Sequence, residues 1–138
     1  MNKKILFTSL PGFTAAFEAT MILLAIPEMS REFNISYFEA TLLIIIFVII
    51  ETLFVVSFSL IADKHGIKKI MILGSFIMLI ASLLIFISNN FSIILFLRAI
   101  QGLGGSMVIL TSLSFAALTS SDSDRGKSTG LNHTIISL

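Results

Sequence analysis

Four polar side chains stand inside long apolar runs: Glu18, Glu51, Arg98 and Gln101. Their types suit proton-linked exchange. A carboxylate held in low dielectric can take up and release a proton near neutral pH. A guanidinium stays charged and competes for that carboxylate with protons and cationic ligands. Competition between a proton, a cationic substrate and Arg98 for Glu18 would couple two movements. An Arg at the centre of a bilayer costs at least about 2.5–3.5 kcal/mol, so such residues usually face a cavity or a partner. A simpler reading of Arg98 has its stem snorkelling to the nearer interface. Glu51 is equally readable as a functional acid or as a structural one paired to a neighbouring helix. By helical rise Glu18 lies about 14 Å from Pro27, Glu51 about 14 Å from Leu42 and Arg98 about 10 Å from Phe91. The three share a depth, and one cavity can hold them.

Other chemistries find no support. The chain has no Cys and only two His, His65 and His133, so no disulfide, thiolate or His/Cys metal site is expected. No nucleophile–base pair or phosphate loop is present, and no cofactor is implied. Gly102-Leu103-Gly104-Gly105 lies mid-run, not in a strand-to-helix turn, and is no dinucleotide loop. An enzyme is not expected. The net charge of +1 comes without a basic patch outside one hairpin, which argues against nucleic acid.

The elements that must position these residues are membrane helices. The 138 residues are 56% hydrophobic and 12% charged, with a mean hydropathy of +1.03. Soluble chains carry about 25% charged residues. Spanning a bilayer takes about 20 mostly apolar residues. Four runs qualify: 5–27, 42–62 (starting as early as Tyr37), 70–87 and 91–118. A fifth begins near 128–138. Each must be helical, because lipid satisfies no free backbone group. The N-terminal Lys3-Lys4 and apolar run imitate a signal peptide, but Pro11-Gly12 and Glu18 interrupt the run and no cleavage site follows. Lys3, Lys4, Lys64, Lys68, Lys69, Arg125 and Lys127 fall on one side of these spans, and Arg31 on the other. The positive-inside rule then puts the N-terminus in the cytoplasm. Gly12 with Ala16, and Gly102 with Gly105, are small residues at spacings that let helices approach closely.

Several stretches resemble a known family. Ser59-Leu60-Ile61-Ala62-Asp63-Lys64-His65-Gly66-Ile67-Lys68 resembles G-x-L-a-D-r-x-G-r-k, the loop between helices two and three of major facilitator superfamily transporters. Asp63, Lys64, Gly66 and Lys68 match. Ser59 replaces the first Gly, and Ile67 replaces a basic residue, so Lys64, Lys68 or Arg125 is left to partner Asp63. Leu95 to Ser106 resembles the helix-four motif l-x-x-R-x-x-q-G-x-g of proton-linked members, through Arg98, Gln101, Gly102 and Gly104. Glu18 to Pro27 is similar to the D-x-T-i-v-n-v-A-l-P stretch of drug/proton antiporters, with Thr20, Ala25 and Pro27 matching, Glu18 for Asp and Leu24 departing. Ser123 to Leu131 resembles the lead-in to helix five.

The resemblance implies an all-α membrane protein, with four complete transmembrane helices and the start of a fifth. It implies part of the N-terminal half of a major facilitator fold, multi-pass in the cell membrane. It further implies a proton-coupled exporter of small lipophilic or cationic drugs. Glu18, Arg98, Glu51 and Gln101 would couple proton and substrate. Asp63, Lys64, Gly66, Lys68 and Ser59 would form a gating loop, and Gly102, Gly104, Gly105 and Gly12 would pack helices. The likeness covers nearly the whole chain but only part of such a transporter, so a truncated product working with a complementary C-terminal portion is expected. Two alternatives fit the length: a small four-helix multidrug exporter acting as a dimer, and a non-transporting relic.

Overall fold

The computed structural model describes residues 3–119, with side chains for 14, 17–18, 21–109, 111 and 114. Four helices follow one another: α1 (Lys3–Glu32), α2 (Tyr37–His65), α3 (Ile67–Phe86) and α4 (Phe91–Thr119). Three of them, over Tyr37–His65, Ile67–Phe86 and Phe91–Ile109, are long and apolar enough to cross a membrane. The fifth run near 128–138, with Arg125 and Lys127, lies outside the described residues.

The connections are written locally. α1 continues five residues beyond Pro27. A proline removes one hydrogen bond and crowds the carbonyl of the preceding turn, and membrane helices tolerate both. The stop comes at Asn34, with φ of 50°. There the Ile35 N–H reaches the Ser30 carbonyl at 3.1 Å and the Asn34 N–H reaches that of Arg31 at 3.3 Å. This is the paired closure that ends helices at a left-handed residue. Two residues later Ser36 caps α2. Its hydroxyl accepts from the Glu39 N–H at 3.2 Å, and the Glu39 carboxylate accepts from the Ser36 N–H at 2.8 Å. That reciprocal box satisfies two otherwise free donors.

A single residue, Gly66, joins α2 to α3. Its φ of 101° is one that side-chain-bearing residues rarely adopt. At the opposite turn the Asn90 side chain accepts from the N–H groups of Ser92 at 2.9 Å and Ile93 at 3.3 Å, starting α4. Such short links force neighbouring helices to run antiparallel. Phe33 meets Phe91 with ring centroids 6.1 Å apart. The end of α1 and the start of α4 therefore share one end of the bundle, with Gly66 at the other.

α4 is the centre of the bundle. It packs most extensively against α3 and α2, and less against α1. Just over half of its apolar window is buried (56%), whereas α2 buries only 6% of its own. The large side chains Leu53, Val56 and Leu60 of α2 face outward. Water would penalise that surface, but hydrocarbon does not. Small residues set the α3–α4 distance. A Cβ on Gly74 would come within 2.6 Å of the Met107 Cβ and 2.8 Å of the Gly104 carbonyl oxygen. One on Gly104 would meet Met78 at 2.6 Å and the Gly74 carbonyl oxygen at 2.9 Å.

Candidate functional site

Glu18, Ser82, Gln101 and Arg98 form one connected network across α1, α3 and α4. The Glu18 carboxylate accepts from both the Ser82 hydroxyl and the Gln101 side-chain amide through Oε1. The Gln101 Nε2 also donates to Ser82 Oγ at 2.8 Å. The Gln101 Oε1 accepts from Arg98 Nη1 at 2.6 Å. Only one orientation of the amide serves here: its donor end must face the carboxylate and its acceptor end the guanidinium.

Arg98 is buried, with 2% of its surface exposed. It does not snorkel. Its Nε donates to the Leu43 carbonyl of α2 at 3.2 Å, and its guanidinium carbon lies 4.6 Å from the Phe47 ring centroid. Stacking on an aromatic face suits a planar cation removed from water. Nη2 remains buried without a hydrogen-bond partner among the described residues. The guanidinium also interacts electrostatically with both Glu18 and Glu51. Glu51, half-buried on α2, stands against α4 at Gly105, where a Cβ would come within 2.8 Å of Glu51 Oε1. Two carboxylates thus act on Arg98, one on α1 and one on α2.

The glycines of α4 serve different neighbours. Gly102 and Gly105 abut α2, and a Cβ on Gly102 would come within 2.6 Å of the Phe47 carbonyl oxygen. Gly104 faces α3 instead. The side of α4 that carries Arg98, Gln101 and Gly105 is therefore not the only small-residue side. Gly12 lies in α1, outside the described side chains.

The hairpin residues stand apart from this network. Asp63, Lys64, Gly66 and Lys68 are exposed at the Gly66 end of the bundle, and Ser59 is half-buried on α2. Leu43 and Phe47, which hold Arg98, carried no expectation from the sequence, and neither did two further contributors. Ser82 is a member of the network, and Gly74 is the packing partner of Gly104. Both had a faint signal: an isolated Gly in an apolar helix, and serines at positions 75 and 82, two helical turns apart.

Two cavities adjoin the site. One of about 250 Å³ lies between α1 and α3, lined by Thr14, Glu18, Ser75, Met78, Leu79 and Ser82. A larger cleft of about 420 Å³ opens at the Phe33 end, with Glu32, Ser82, Ser88 and Asn89 among its walls. Among the described residues no cluster of His, Cys, Asp and Glu could hold a metal ion.

A bundle of apolar helices of spanning length is the architecture of a multi-pass membrane protein. The chain belongs to the Major Facilitator Superfamily, whose family model matches residues 8–138. It is 24% identical over 126 residues to the riboflavin transporter RibZ of Clostridioides difficile, covering 91% of this chain and 28% of RibZ. It is 26% identical over 97 residues to the putative multidrug resistance protein MdtD of Shigella flexneri, covering 70% of this chain and 21% of MdtD. It is 23% identical over 119 residues to the multidrug transporter AQR1 of Candida glabrata, covering 86% of this chain and 20% of AQR1. The chain thus spans less than a third of the length of each of these relatives. RibZ and AQR1 are named as transporters, and MdtD as a putative multidrug resistance protein.

Proposed function

We propose that this chain supplies part of the N-terminal half of a proton-coupled exporter of small lipophilic or cationic compounds. The observation that carries the reading is the buried network from Glu18 through Gln101 to Arg98. A proton on Glu18 and a cation beside it are alternatives, because either neutralises the carboxylate that otherwise faces Arg98. Glu51 of α2, which also interacts with Arg98, is a second such carboxylate. The substrate class is supported by the multidrug names of two relatives and by apolar cavity walls rich in Met, Leu, Ile and Phe, which adapt to varied shapes. In this reading all four helices span the cell membrane and a fifth begins near 128–138. The N-terminus and the Asp63 hairpin lie in the cytoplasm, following the Lys and Arg asymmetry. The hairpin works as a gating loop, and a complementary C-terminal portion completes the cavity for alternating access.

The test is transport in proteoliposomes, with the chain reconstituted alone and together with a co-expressed C-terminal portion. Glu18→Gln should abolish proton-driven efflux while leaving the protein folded. Efflux that continues unchanged would remove Glu18 from the mechanism. A substrate panel that includes a flavin separates the drug reading from the chemistry named for RibZ.

A further inference from the structure

Among the described residues, Ser82 is the one that lines both the cavity at Glu18 and the cleft at the Phe33 end. Ser82 lies four residues from the end of α3, about 6 Å by helical rise. Both spaces exceed the roughly 30 Å³ share of a water molecule, and each has a few polar groups in its otherwise apolar walls. The Ser82 hydroxyl also has one proton and two acceptors in reach. It can donate to the Glu18 carboxylate or to the Met78 carbonyl at 2.8 Å.

We propose that Ser82 is the relay and positioning residue for Glu18, admitting protons from the Phe33-end cleft between α1, α3 and α4. The proposal rests on the reading of Glu18 as the proton-accepting carboxylate. With Glu18 charged, the hydroxyl donates to it. A hydronium in the cleft then gives a proton to Ser82 Oγ as Ser82 passes its own to Glu18 Oε1. The products are water, a neutral Ser82 and a protonated Glu18. The new carboxyl O–H donates back to Ser82 Oγ, and the Ser82 proton turns to the Met78 carbonyl. Both protonation states are satisfied without moving a heavy atom. The other charged groups around this path are Arg98 on α4, Glu51 on α2, and Glu32 of α1 at the cleft. α3 carries no titratable side chain after Lys69.

The absence of native Cys allows a direct test of the route. Lone thiols are introduced as Ser82→Cys, Ser88→Cys and Leu83→Cys, the last on the exposed apolar surface. A membrane-impermeant cationic methanethiosulfonate is added to the side of the membrane that the Ser88–Asn90 turn faces. Ser82→Cys should react within an order of magnitude of Ser88→Cys, and Leu83→Cys at least an order of magnitude more slowly. The Glu18 carboxylate disfavours a neighbouring thiolate, so Ser82→Cys is also tested with Glu18→Gln. Silence at Ser82→Cys in both backgrounds, with Ser88→Cys reactive, overturns the route. The hydroxyl itself is tested by carbodiimide modification of Glu18, followed across pH by mass spectrometry. Ser82→Ala should displace that profile and Ser82→Thr should restore it. An Ala profile that superimposes on the native one overturns the relay. Neither readout needs transport. Persistent efflux in Glu18→Gln overturns the functional reading alone, whereas a silent thiol with Glu18-dependent efflux overturns the route alone.

Discussion

Gln101 commits its whole amide inside the bundle, donating to Glu18 and Ser82 and accepting from Arg98. It thereby joins a carboxylate and a guanidinium without requiring them to touch. Gln101→Leu should cost about 1–2 kcal/mol, the scale of interhelical hydrogen bonds in membranes, measured by unfolding in mixed micelles. Arg98→Lys should not rescue Arg98→Ala in the same assay. An ammonium on a flexible stem cannot serve the Leu43 carbonyl, the Gln101 amide and the Phe47 face together. A Lys variant of native stability would show that charge alone matters at this position.

At the scale of elements, α3 and α4 meet backbone to backbone through Gly74 and Gly104. A side chain at either position must push the helices apart, because its nearest neighbours include main-chain atoms rather than flexible ends. Gly74→Val should destabilise by about 1–3 kcal/mol, the usual cost of overpacking. Gly66 offers the contrast. Nothing lies within 4 Å of where its Cβ would be, so Gly66→Ala bears only a conformational cost, about 1–3 kcal/mol for a sparsely populated backbone region. Chemical denaturation of both variants measures these costs. Met107→Ala should not relieve Gly74→Val, because the Met107 Cβ and the Gly104 carbonyl oxygen both remain in place, and no second-site change nearby should relieve Gly66→Ala.

For the whole molecule, the distribution of charge and the antiparallel course of the helices make one sidedness prediction. The turn at Ser88–Asn90 and the hairpin at Gly66 lie at opposite ends. With the basic hairpin cytoplasmic, Asn89→Cys should react with an impermeant thiol reagent in intact cells, and His65→Cys only after permeabilisation. The reverse pattern would invert the orientation and place the Phe33-end cleft on the cytoplasmic side. The exposed apolar side chains of α2 belong to this scale too. They are satisfied only by lipid or by further helices, and the four described helices leave most of α2 uncovered.

Much of this organisation is legible along the chain. Apolar runs of spanning length, Ser36 three residues before Glu39, and Gly66 between basic residues are local facts. They determine helices, caps and turns because each needs only its near neighbours in sequence. Arg98 and Gln101, one helical turn apart, announce a polar patch on α4 for the same reason. The partners of that patch are not local. Ser82 is 64 residues from Glu18, and Gln101 is 83 from it. Nothing in the spacing of a serine on α3 says that it will meet an acid on α1. Depth along each helix aligned Glu18, Glu51 and Arg98, but depth leaves rotation about the helix axis undetermined. The tertiary structure decided rotation, through the close approach of Gly74 to Gly104 and of Gly105 to Glu51. That packing joined three of the four candidate residues, Glu18, Gln101 and Arg98, into one hydrogen-bonded network with Ser82, and set Glu51 against Gly105.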